Sequence, residues 1–304
     1  MFKLTMNTDY ENELLYHFMP VLYLHKDELT SPISIKDYFN NCELCVNGTK
    51  KKIQKNLFTE PKIIRENKEV LIERGNINLP LTNFYNSIPN KYLNYCGDYL
   101  LPNQYSINQI PIYGLVKEYK EYIDVIYIFN YYYNNSYKVL GMYVGGEHQA
   151  DIEHIRVRIS INNLYSRIIP HEVLSIYYSA HSKDQGRWVK PDKIDWYNGI
   201  KNQQPIVYVA KGSHANYNKP GTWYRIFGFA NDKTMKNNAI IWKPEIVINL
   251  NSCDDLMSYR GDMGNNGVHD LNRNWTEAPP QNIKASFLYR FFYPLIKTSC
   301  ITPR

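Results

Sequence analysis

The stretch Asp151-Ile-Glu-His-Ile-Arg-Val-Arg-Ile-Ser-Ile161 has the clearest alternation of apolar and polar residues in the chain. One parity carries Ile155, Val157, Ile159 and Ile161, and the other carries Arg156, Arg158 and Ser160. Since successive side chains of a β-strand point to opposite faces of a sheet, this period of two predicts a strand. We expect its isoleucine face to be buried and its arginine face to lie in water.

Other segments rich in β-branched and aromatic residues predict further strands, namely Tyr122–Tyr133, Val173–Ala180, Ile206–Ala210 and Ile240–Leu250. Residues 34–40 are expected to form one or two helical turns. Short strands separated by Gly, Pro and Asn turns favour a mainly β fold, an antiparallel β-sandwich with long loops and a few short helices. No Pro-, Gly- or Ser-rich linker divides the chain, so residues 1–304 are interpreted as a single domain.

The composition is that of a globular protein. Apolar residues make up 44% of the 304 residues and charged residues 21%, which excludes a wholly disordered chain. The net charge of +6, from 35 basic and 29 acidic residues, is spread along the chain, so no nucleic-acid partner is expected. The 28 tyrosines, against 11 phenylalanines, favour β-strands and wet interfaces, although a coding bias would explain the excess equally well.

Three features bear on the compartment. No segment approaches the ~20 apolar residues that a membrane-spanning helix needs, and the N-terminus lacks the basic-then-apolar pattern of a secretory signal. The five cysteines are odd in number and widely scattered, unlike a disulfide framework. We therefore expect a protein of a reducing compartment, cytoplasmic or peripheral to a membrane.

The strongest candidate site lies at the start of the alternating strand. Asp151 and Glu153 share the parity of Ile155, so two carboxylates fall at the end of an apolar face. Buried carboxylates are costly unless they are paired, protonated or bound to a cation. His148 lies three residues earlier and can fold back over the pair, which predicts a site for a hard divalent cation. The alternative is a solvated strand start without a metal. His154 falls on the opposite face and is a candidate only for the rim around the site.

Two more histidines follow predicted strands. His181 comes directly after the strand predicted over residues 173–180, and His214 comes shortly after the one over 206–210. Since strand ends of a sandwich meet at two rims, both can lie with His148 at one rim, where Ser213 is also expected. Ser213 and His214 are sequence neighbours and do not predict a catalytic pair, and the chain has no Gly-x-Ser-x-Gly elbow.

Several separated motifs occur in order along residues 18–294. They are Pro20-Val-Leu-Tyr-Leu-His-Lys-Asp-Glu28, Phe129-Asn-Tyr-Tyr-Tyr-Asn134, Gly146-Glu-His-Gln-Ala-Asp-Ile-Glu-His154, Tyr178-Ser-Ala-His181, Val207-Tyr-Val-Ala-Lys-Gly-Ser-His-Ala-Asn-Tyr217 with Asn231-Asp232 behind it, and a Gly-rich loop that ends at Pro279-Pro280. Together these motifs resemble the vacuolar protein sorting-associated protein 62 family, which usually has Trp where this chain has Ile152. The resemblance implies a β-sandwich region over residues 18–294 and a link to vacuolar protein sorting.

A shorter motif is similar to part of another family. His148-x-x-Asp151-x-Glu153 resembles the core of the heptapeptide in necrosis-inducing, NPP-type cytolytic toxins. That resemblance implies a divalent cation held by these three residues and, by similarity of the aromatic strand, by Asn134. It also implies contact with sphingolipid head groups at a membrane. Oxygen ligands favour Mg, Ca or Mn over Zn as the ion.

Three functions remain open. The first is a binding module whose cation-bearing rim contacts a membrane lipid or a glycan head group. The second is a metal-dependent hydrolase in which His181 or His214 acts as base or charge stabiliser. The third is a structural or trafficking partner without a metal site. Of these, we expect binding rather than catalysis.

Overall fold

The structure, a computed structural model, describes residues 8–40, 42–46, 49–55, 62–66, 69–73, 91–95, 107–135, 138–139, 142–143, 148–161, 172–225 and 231–252. The Gly-rich loop that ends at Pro279-Pro280 and the cysteine side chains lie outside the described residues. The interpretation of residues 1–304 as a single domain stays a prediction.

The described residues are mainly β, with a few short helices, as predicted. The helices are α1 (Thr8–His17) and α2 (Ile35–Asn40). The strands are β1 (Val21–Leu24), β2 (Cys42–Val46), β3 (Thr49–Lys55), β4 (Lys62–Glu66), β5 (Glu69–Glu73), β6 (Lys91–Tyr95), β7 (Ile112–Glu118), β8 (Tyr122–Asn134), β9 (Lys138–Val139), β10 (Met142–Tyr143), β11 (His148–Ser160), β12 (Val173–Ala180), β13 (Ser182–Val189), β14 (Ile206–Val209), β15 (Asn216–Tyr217), β16 (Gly221–Trp223), β17 (Asp232–Thr234), β18 (Ile240–Trp242) and β19 (Val247–Asn249).

Two sheets form the sandwich. The larger has six strands in the order β13-β12-β11-β8-β7-β19, and the smaller has four in the order β15-β14-β1-β18. The long antiparallel ladder between β8 and β11 runs from the pair His148–Asn134 to the pair Ser160–Tyr122. Most pairings are antiparallel, as predicted, but β1 pairs with β14 and β7 pairs with β19 in parallel. The sandwich is therefore mixed.

The core lies between the inner faces of the two sheets. Ile155, Val157 and Ile159 of β11 pack in the same cluster as Leu22 of β1 and Val207 of β14. All five side chains are fully buried. The isoleucine face that the alternating sequence predicts is therefore the inner face of the larger sheet, and the carboxylates of the same parity enter the sandwich at its end.

Helix α1 closes one side of the core. Its Leu14 and Leu15 are fully buried, and the backbone carbonyl of Leu15 accepts a hydrogen bond of 2.8 Å from the Tyr127 hydroxyl. Gly114 of β7 makes this approach possible, because a Cβ at that position would collide with the Leu15 side chain. A glycine inside a strand commonly marks such a close approach.

Two sequence predictions are wrong. The arginine face of β11 is not in water: Arg156 is 3% exposed and Arg158 is 4% exposed. Arg158 makes a bidentate hydrogen bond to Asp124 of β8, with distances of 2.8 and 3.0 Å, because Asp124 lies directly opposite it in the ladder. A carboxylate from the neighbouring strand thus compensates the charge of the buried guanidinium. The alternation of apolar and polar residues alone does not predict this burial.

The segment Ile240–Leu250 is not one strand. It contains β18, which joins the smaller sheet, and β19, which joins the larger sheet. Pro244 lies between them and cannot donate a backbone hydrogen bond, so the chain leaves one sheet there and enters the other. In the part of the chain that the structure describes, no helix is both long enough and apolar enough to cross a bilayer.

Candidate functional site

Three segments meet at one end of the sandwich. They are the loop after β1, which carries Glu28 and Thr30, the start of β11, which carries Asp151 and Glu153, and the loop between β14 and β15, which carries His214. We call these five residues the rim network. The residue that follows β8 is held beside this network, because the backbone nitrogen of Asn135 donates to the carbonyl of Gly212 at 2.8 Å.

His214 is the centre of the rim network. Its side chain is fully buried, and its ring stacks on Tyr131 with 3.9 Å between ring centroids and 4° between the ring planes. Its Nδ1 lies 2.8 Å from Asp151 Oδ2, and its Nε2 lies 2.9 Å from Thr30 Oγ1. Glu28 Oε1 lies 3.7 Å from the same Nε2. The imidazole is therefore held between two carboxylates from distant parts of the chain.

The surroundings keep His214 protonated at neutral pH. Burial alone would lower its pKa, but the charge of Glu28 and the hydrogen bond to Asp151 outweigh burial and raise the pKa to about 9. Thr30 Oγ1 donates to Glu28 Oε1 at 2.9 Å and so accepts from Nε2. Both ring nitrogens thus act as donors, which is the hydrogen-bonding pattern of an imidazolium.

Glu28 is fixed by four donors. Its Oε1 accepts from the backbone nitrogens of Leu29 and Thr30 and from the Thr30 hydroxyl, and its Oε2 accepts from the Gly212 nitrogen at 2.6 Å. Burial would raise the pKa of Glu28, but the His214 charge and these hydrogen bonds lower it to about 2. Glu28 is therefore ionised at neutral pH, and its hydrogen bonds connect the loop after β1 to the loop between β14 and β15.

Glu153 is 8% exposed and is bound from the neighbouring strand. The Ser179 hydroxyl of β12 donates to Glu153 Oε2. Ser179 Oγ in turn accepts from the His154 backbone nitrogen at 3.0 Å and from Asn216 Nδ2 at 3.1 Å. The His154 ring packs on Tyr177, with 5.6 Å between ring centroids.

His148 and Asn134 form the last pair of the β8–β11 ladder. Both are half-buried, and His148 Nδ1 lies 3.2 Å from the carbonyl of Gln149. Ala150, between His148 and Asp151, has a φ of 54°. This left-handed residue interrupts the regular strand geometry, so the alternation of β11 cannot simply be extended back to His148.

His181 belongs to a second cluster, centred on Asp232. His181 Nε2 and the Tyr217 hydroxyl each lie 2.6 Å from Asp232 Oδ2, and the Ser213 hydroxyl donates to Oδ1 at 2.9 Å. Arg225 lies 3.6 Å from Oδ1. Burial would raise the pKa of Asp232, but the charges of His181 and Arg225 hold it below its usual range.

The two clusters are joined through the sequence neighbours Ser213 and His214. Ser213 donates to Asp232, whereas His214 binds Asp151 and Thr30, so the two side chains serve different carboxylates. This geometry is not that of a catalytic serine–histidine pair, in agreement with the sequence.

Backbone strain concentrates at this end of the sandwich. Among the described residues, positive φ outside glycine occurs at three asparagines, which tolerate that conformation, and at Ala150 (54°), His181 (48°) and His214 (50°). Each of the last three is part of, or next to, one of the two clusters. Strained residues persist where the surrounding structure determines them, and they are common at functional sites.

No group of three or more His, Cys, Asp or Glu side chains is arranged to hold a metal ion among the residues that the structure describes. Other oxygens are nevertheless close to the acids. Tyr131 Oη and Asn216 Oδ1 are buried, and neither has a hydrogen-bond partner within the described part of the chain. The charges of Asp151, Glu153 and Glu28 add to the effect of burial and raise the Tyr131 pKa well above its usual range, so its hydroxyl lies in their field.

Sequence reasoning from spacing missed Glu28, Thr30, Ser179, Asn216 and Asp232. Their partners are far away in sequence: Glu28 and His214 are separated by 186 positions, and Ser179 and Glu153 by 26. The signal that could have found them is their place in the motifs quoted above, which contain Glu28, Ser179, Asn216 and Asp232.

Residues 122–242 match the model of the family described as vacuolar protein sorting-associated protein 62. This match confirms the resemblance for the part of the chain that contains β8 to β18, which is less than half of the 304 residues. The motif at residues 20–28 and the loop that ends at Pro279-Pro280 lie outside it. Among curated proteins, none matches the chain.

The chain is also similar to solved structures, including the following three. One, "NLPPya in complex with mannosamine", has 14% sequence identity, covers 87% of this chain and 86% of its own, and has a TM-score of 0.41. "Toxin fold for microbial attack and plant defense" has 14% identity, covers 85% and 86%, and has a TM-score of 0.41. "Crystal structure of non-toxic HaNLP3 protein" has 10% identity, covers 83% and 80%, and has a TM-score of 0.39. The assignment of a sandwich rests on the two sheets and their shared core described above.

Proposed function

We propose that this protein is a binding module whose rim network, completed by a divalent cation, contacts the polar head group of a membrane lipid or glycan. The observation that carries the proposal is the pair of buried carboxylates Asp151 and Glu153, 4% and 8% exposed, at one end of the sandwich core. The link to vacuolar protein sorting that the family resemblance implies is part of the proposal.

The charge of the rim network favours a cation. Glu28, Asp151 and Glu153 are three carboxylates, and His214 is one imidazolium, so these four side chains sum to a formal charge of −2 when the carboxylates are ionised. A divalent cation has the charge that neutralises this sum. A cation beside Asp151 and Glu153 would also oppose the repulsion between these carboxylates.

The available ligands are oxygens. Asp151 and Glu153 would hold the ion, and Asn216 Oδ1 and Tyr131 Oη, which are buried without a hydrogen-bond partner among the described residues, are the candidate further ligands. An oxygen set of this kind suits Mg, Ca or Mn better than Zn, which favours nitrogen and sulfur. His148 and Asn134, at the tip of the ladder, are proposed to lie at the outer side of the ion, where a head group would bind. The ion would supply positive charge to a phosphate or hydroxyl group.

The state of His214 favours binding over base catalysis. A general base must be unprotonated at the working pH and must reach its substrate. His214 is fully buried, and the carboxylates beside it raise its pKa to about 9. It therefore fixes Asp151 rather than accepting a proton from a bound molecule.

Titration of the purified protein with Mn²⁺ or Ca²⁺ after chelation tests the ion. Calorimetry should show one bound ion for the wild type, and Glu153→Gln should weaken binding at least about tenfold, since one charged ligand is lost. Glu245→Gln, at an exposed position outside the rim, is the matched control and should bind as the wild type does. If neither Mn²⁺ nor Ca²⁺ bound to the wild type, the proposed cation site would be refuted.

Vesicle flotation tests the surface that the rim contacts. The protein should float with phosphatidylcholine vesicles that contain a glycosphingolipid, and it should remain in solution with chelator or with Glu153→Gln. Flotation that ignores both changes would rule out a cation-dependent rim. Ion binding without flotation would leave the metal site standing and overturn the membrane part of the proposal.

A further inference from the structure

A second surface, apart from the rim, combines tyrosine rings with lysines. It lies on the outer face of the smaller sheet and on the loop that precedes β14. We call it the tyrosine–lysine patch, and its members are Tyr23, Asp195, Tyr197, Lys219, Lys236 and Lys243. None of them belongs to the rim network or to the Asp232 cluster.

Asp195 organises the patch. Its Oδ2 accepts a 2.6 Å hydrogen bond from the Tyr208 hydroxyl, its Oδ1 pairs with Lys219 Nζ, and Lys236 Nζ lies 3.9 Å from Oδ2. Tyr208 is fully buried, whereas the Asp195 side chain is 22% exposed. Hence the carboxylate is anchored from below by the sheet and remains open to solvent at the surface.

The patch contains two tyrosine rings, those of Tyr23 and Tyr197. Tyr23 of β1 packs against Tyr208 with 5.5 Å between ring centroids, and it lies opposite Ile241 of β18, which is 46% exposed. Tyr23 and Tyr197 are both half-buried. Burial raises the pKa of Tyr23, and Tyr197 and Asp195 add to this rise. Tyr23 and Tyr197 pack against the same buried cluster, which contains Tyr208.

The loop that carries Tyr197 is held in place. The Ile206 nitrogen donates to the Asp195 carbonyl at 2.8 Å, and the Tyr197 nitrogen donates to the Gln204 carbonyl at 2.9 Å. Lys243 Nζ lies 5.0 Å from the centre of the Tyr197 ring, within cation–π range. Rings and charges are therefore arranged before any ligand arrives, which lowers the entropy cost of binding.

We propose that the tyrosine–lysine patch binds an acidic carbohydrate. Tyrosine presents a flat apolar ring and a polar hydroxyl, which suits the apolar face and the hydroxyl edge of a pyranose. The Asp195 carboxylate accepts hydrogen bonds from sugar hydroxyls. Three lysines against one aspartate leave a formal charge of +2, which complements a sugar carboxylate rather than a neutral sugar. The patch thus differs from the rim, where the net charge is negative.

The test uses the full chain and trigalacturonate, with neutral maltotriose as the comparison ligand, in calorimetry at low salt. Trigalacturonate should bind, and maltotriose should bind more weakly. Tyr197→Ala removes a half-buried ring of the patch and should reduce the affinity about tenfold. Lys243→Gln should reduce the affinity for trigalacturonate about two- to fivefold, the range of an exposed ion pair, and should leave maltotriose binding unchanged.

Two controls separate this surface from others. Tyr224→Ala removes a tyrosine that is 80% exposed and lies outside the patch, and it should bind trigalacturonate as the wild type does. Glu153→Gln, which disables the proposed rim site, should also leave this binding unchanged. No binding to the wild type at millimolar ligand, equal affinity in Tyr197→Ala, or equal affinity for both sugars would overturn the proposal.

Discussion

The rim network and the tyrosine–lysine patch both join an aspartate to a cationic side chain and a tyrosine ring, but they differ in their access to water. At the rim, His214 is fully buried, and its partners Asp151 and Glu28 are 4% and 5% exposed. At the patch, Lys219 is 45% exposed and Asp195 is 22% exposed. Water screens the contact between Lys219 and Asp195 but does not screen the contacts of His214 with Asp151 and Glu28. The same kind of contact therefore stabilises the fold at the rim and contributes little at the patch.

The largest expected effect is that of His214→Ala. It removes the cation between two buried carboxylates, and breaking one partner of a buried pair costs ~3–5 kcal/mol. Urea denaturation should show a loss of stability in this range, with His17→Ala, a half-buried histidine of α1, as the control that costs about 1 kcal/mol. A loss at His214 no larger than at His17 would mean that burial does not distinguish the two regions.

The next effect is the pH dependence of the free energy of unfolding, measured with chelator present. The His214 pKa is raised from 6.5 to about 9, so its stabilisation is complete below pH 6.5 and is lost as the pH rises through 9. That rise in pKa corresponds to about 3 kcal/mol. The Glu28 pKa is lowered from 4.5 to about 2, so its stabilisation is complete above pH 4.5 and is lost as the pH falls through 2.

Together the two groups place the plateau of stability between pH 4.5 and 6.5. Denaturation curves from pH 4 to 10 should fall on the alkaline side in the wild type, and His214→Ala should remove most of that fall. If stability instead rises between pH 7 and 9, His214 is not the imidazolium that its hydrogen bonds indicate.

The smallest effect is that of Lys219→Gln at the patch. An exposed ion pair contributes ~0–1 kcal/mol, so the midpoint of thermal unfolding should hardly move. Its remaining contribution should decrease with added salt, whereas the contribution of His214 should not. If Lys219→Gln lost as much stability as His214→Ala, the expected difference between the exposed patch and the buried rim would be contradicted.

Much of the larger sheet is predictable from the sequence. The alternation of Ile155, Val157 and Ile159 identifies the inner face of β11, and the aromatic run from Tyr122 gives β8, because a period of two is a local property of a strand. Local pattern fails at Arg158, since the carboxylate that permits its burial comes from the adjacent strand. It fails again between Trp242 and Val247, since only sheet pairing shows that the two strands belong to different sheets.

The candidate site divides in the same way. Parity along one strand is enough to place Asp151 and Glu153 together on the inner face. Their partners His214 and Ser179 come from the loop between β14 and β15 and from β12, and no spacing rule relates residues that are 63 or 26 positions apart. The motifs that carry the family resemblance contain His214 and Ser179. They identify candidate members of the site, but they give no distances and therefore assign no contacts.

The tyrosine excess shows the same limit. Tyr127, Tyr131 and Tyr178 prove to be fully buried, and Tyr127 donates a hydrogen bond to the carbonyl of Leu15 in α1. Composition favours strands that contain such residues, but it does not distinguish a core tyrosine from a surface one. Only the packing of the second sheet and of α1 decides which rings lie inside.

By itself, the sequence determined a mainly β chain, the buried face of its central strand and the two acids at the end of that face. These properties follow from side-chain alternation and turn residues, which act over a few positions. The tertiary structure alone decided that His214 lies between Asp151 and Glu28, and that Asp195 accepts a hydrogen bond from the buried Tyr208. Burial and electrostatic pairing depend on distances between segments that are remote in sequence, and those distances exist only once the sheets have packed.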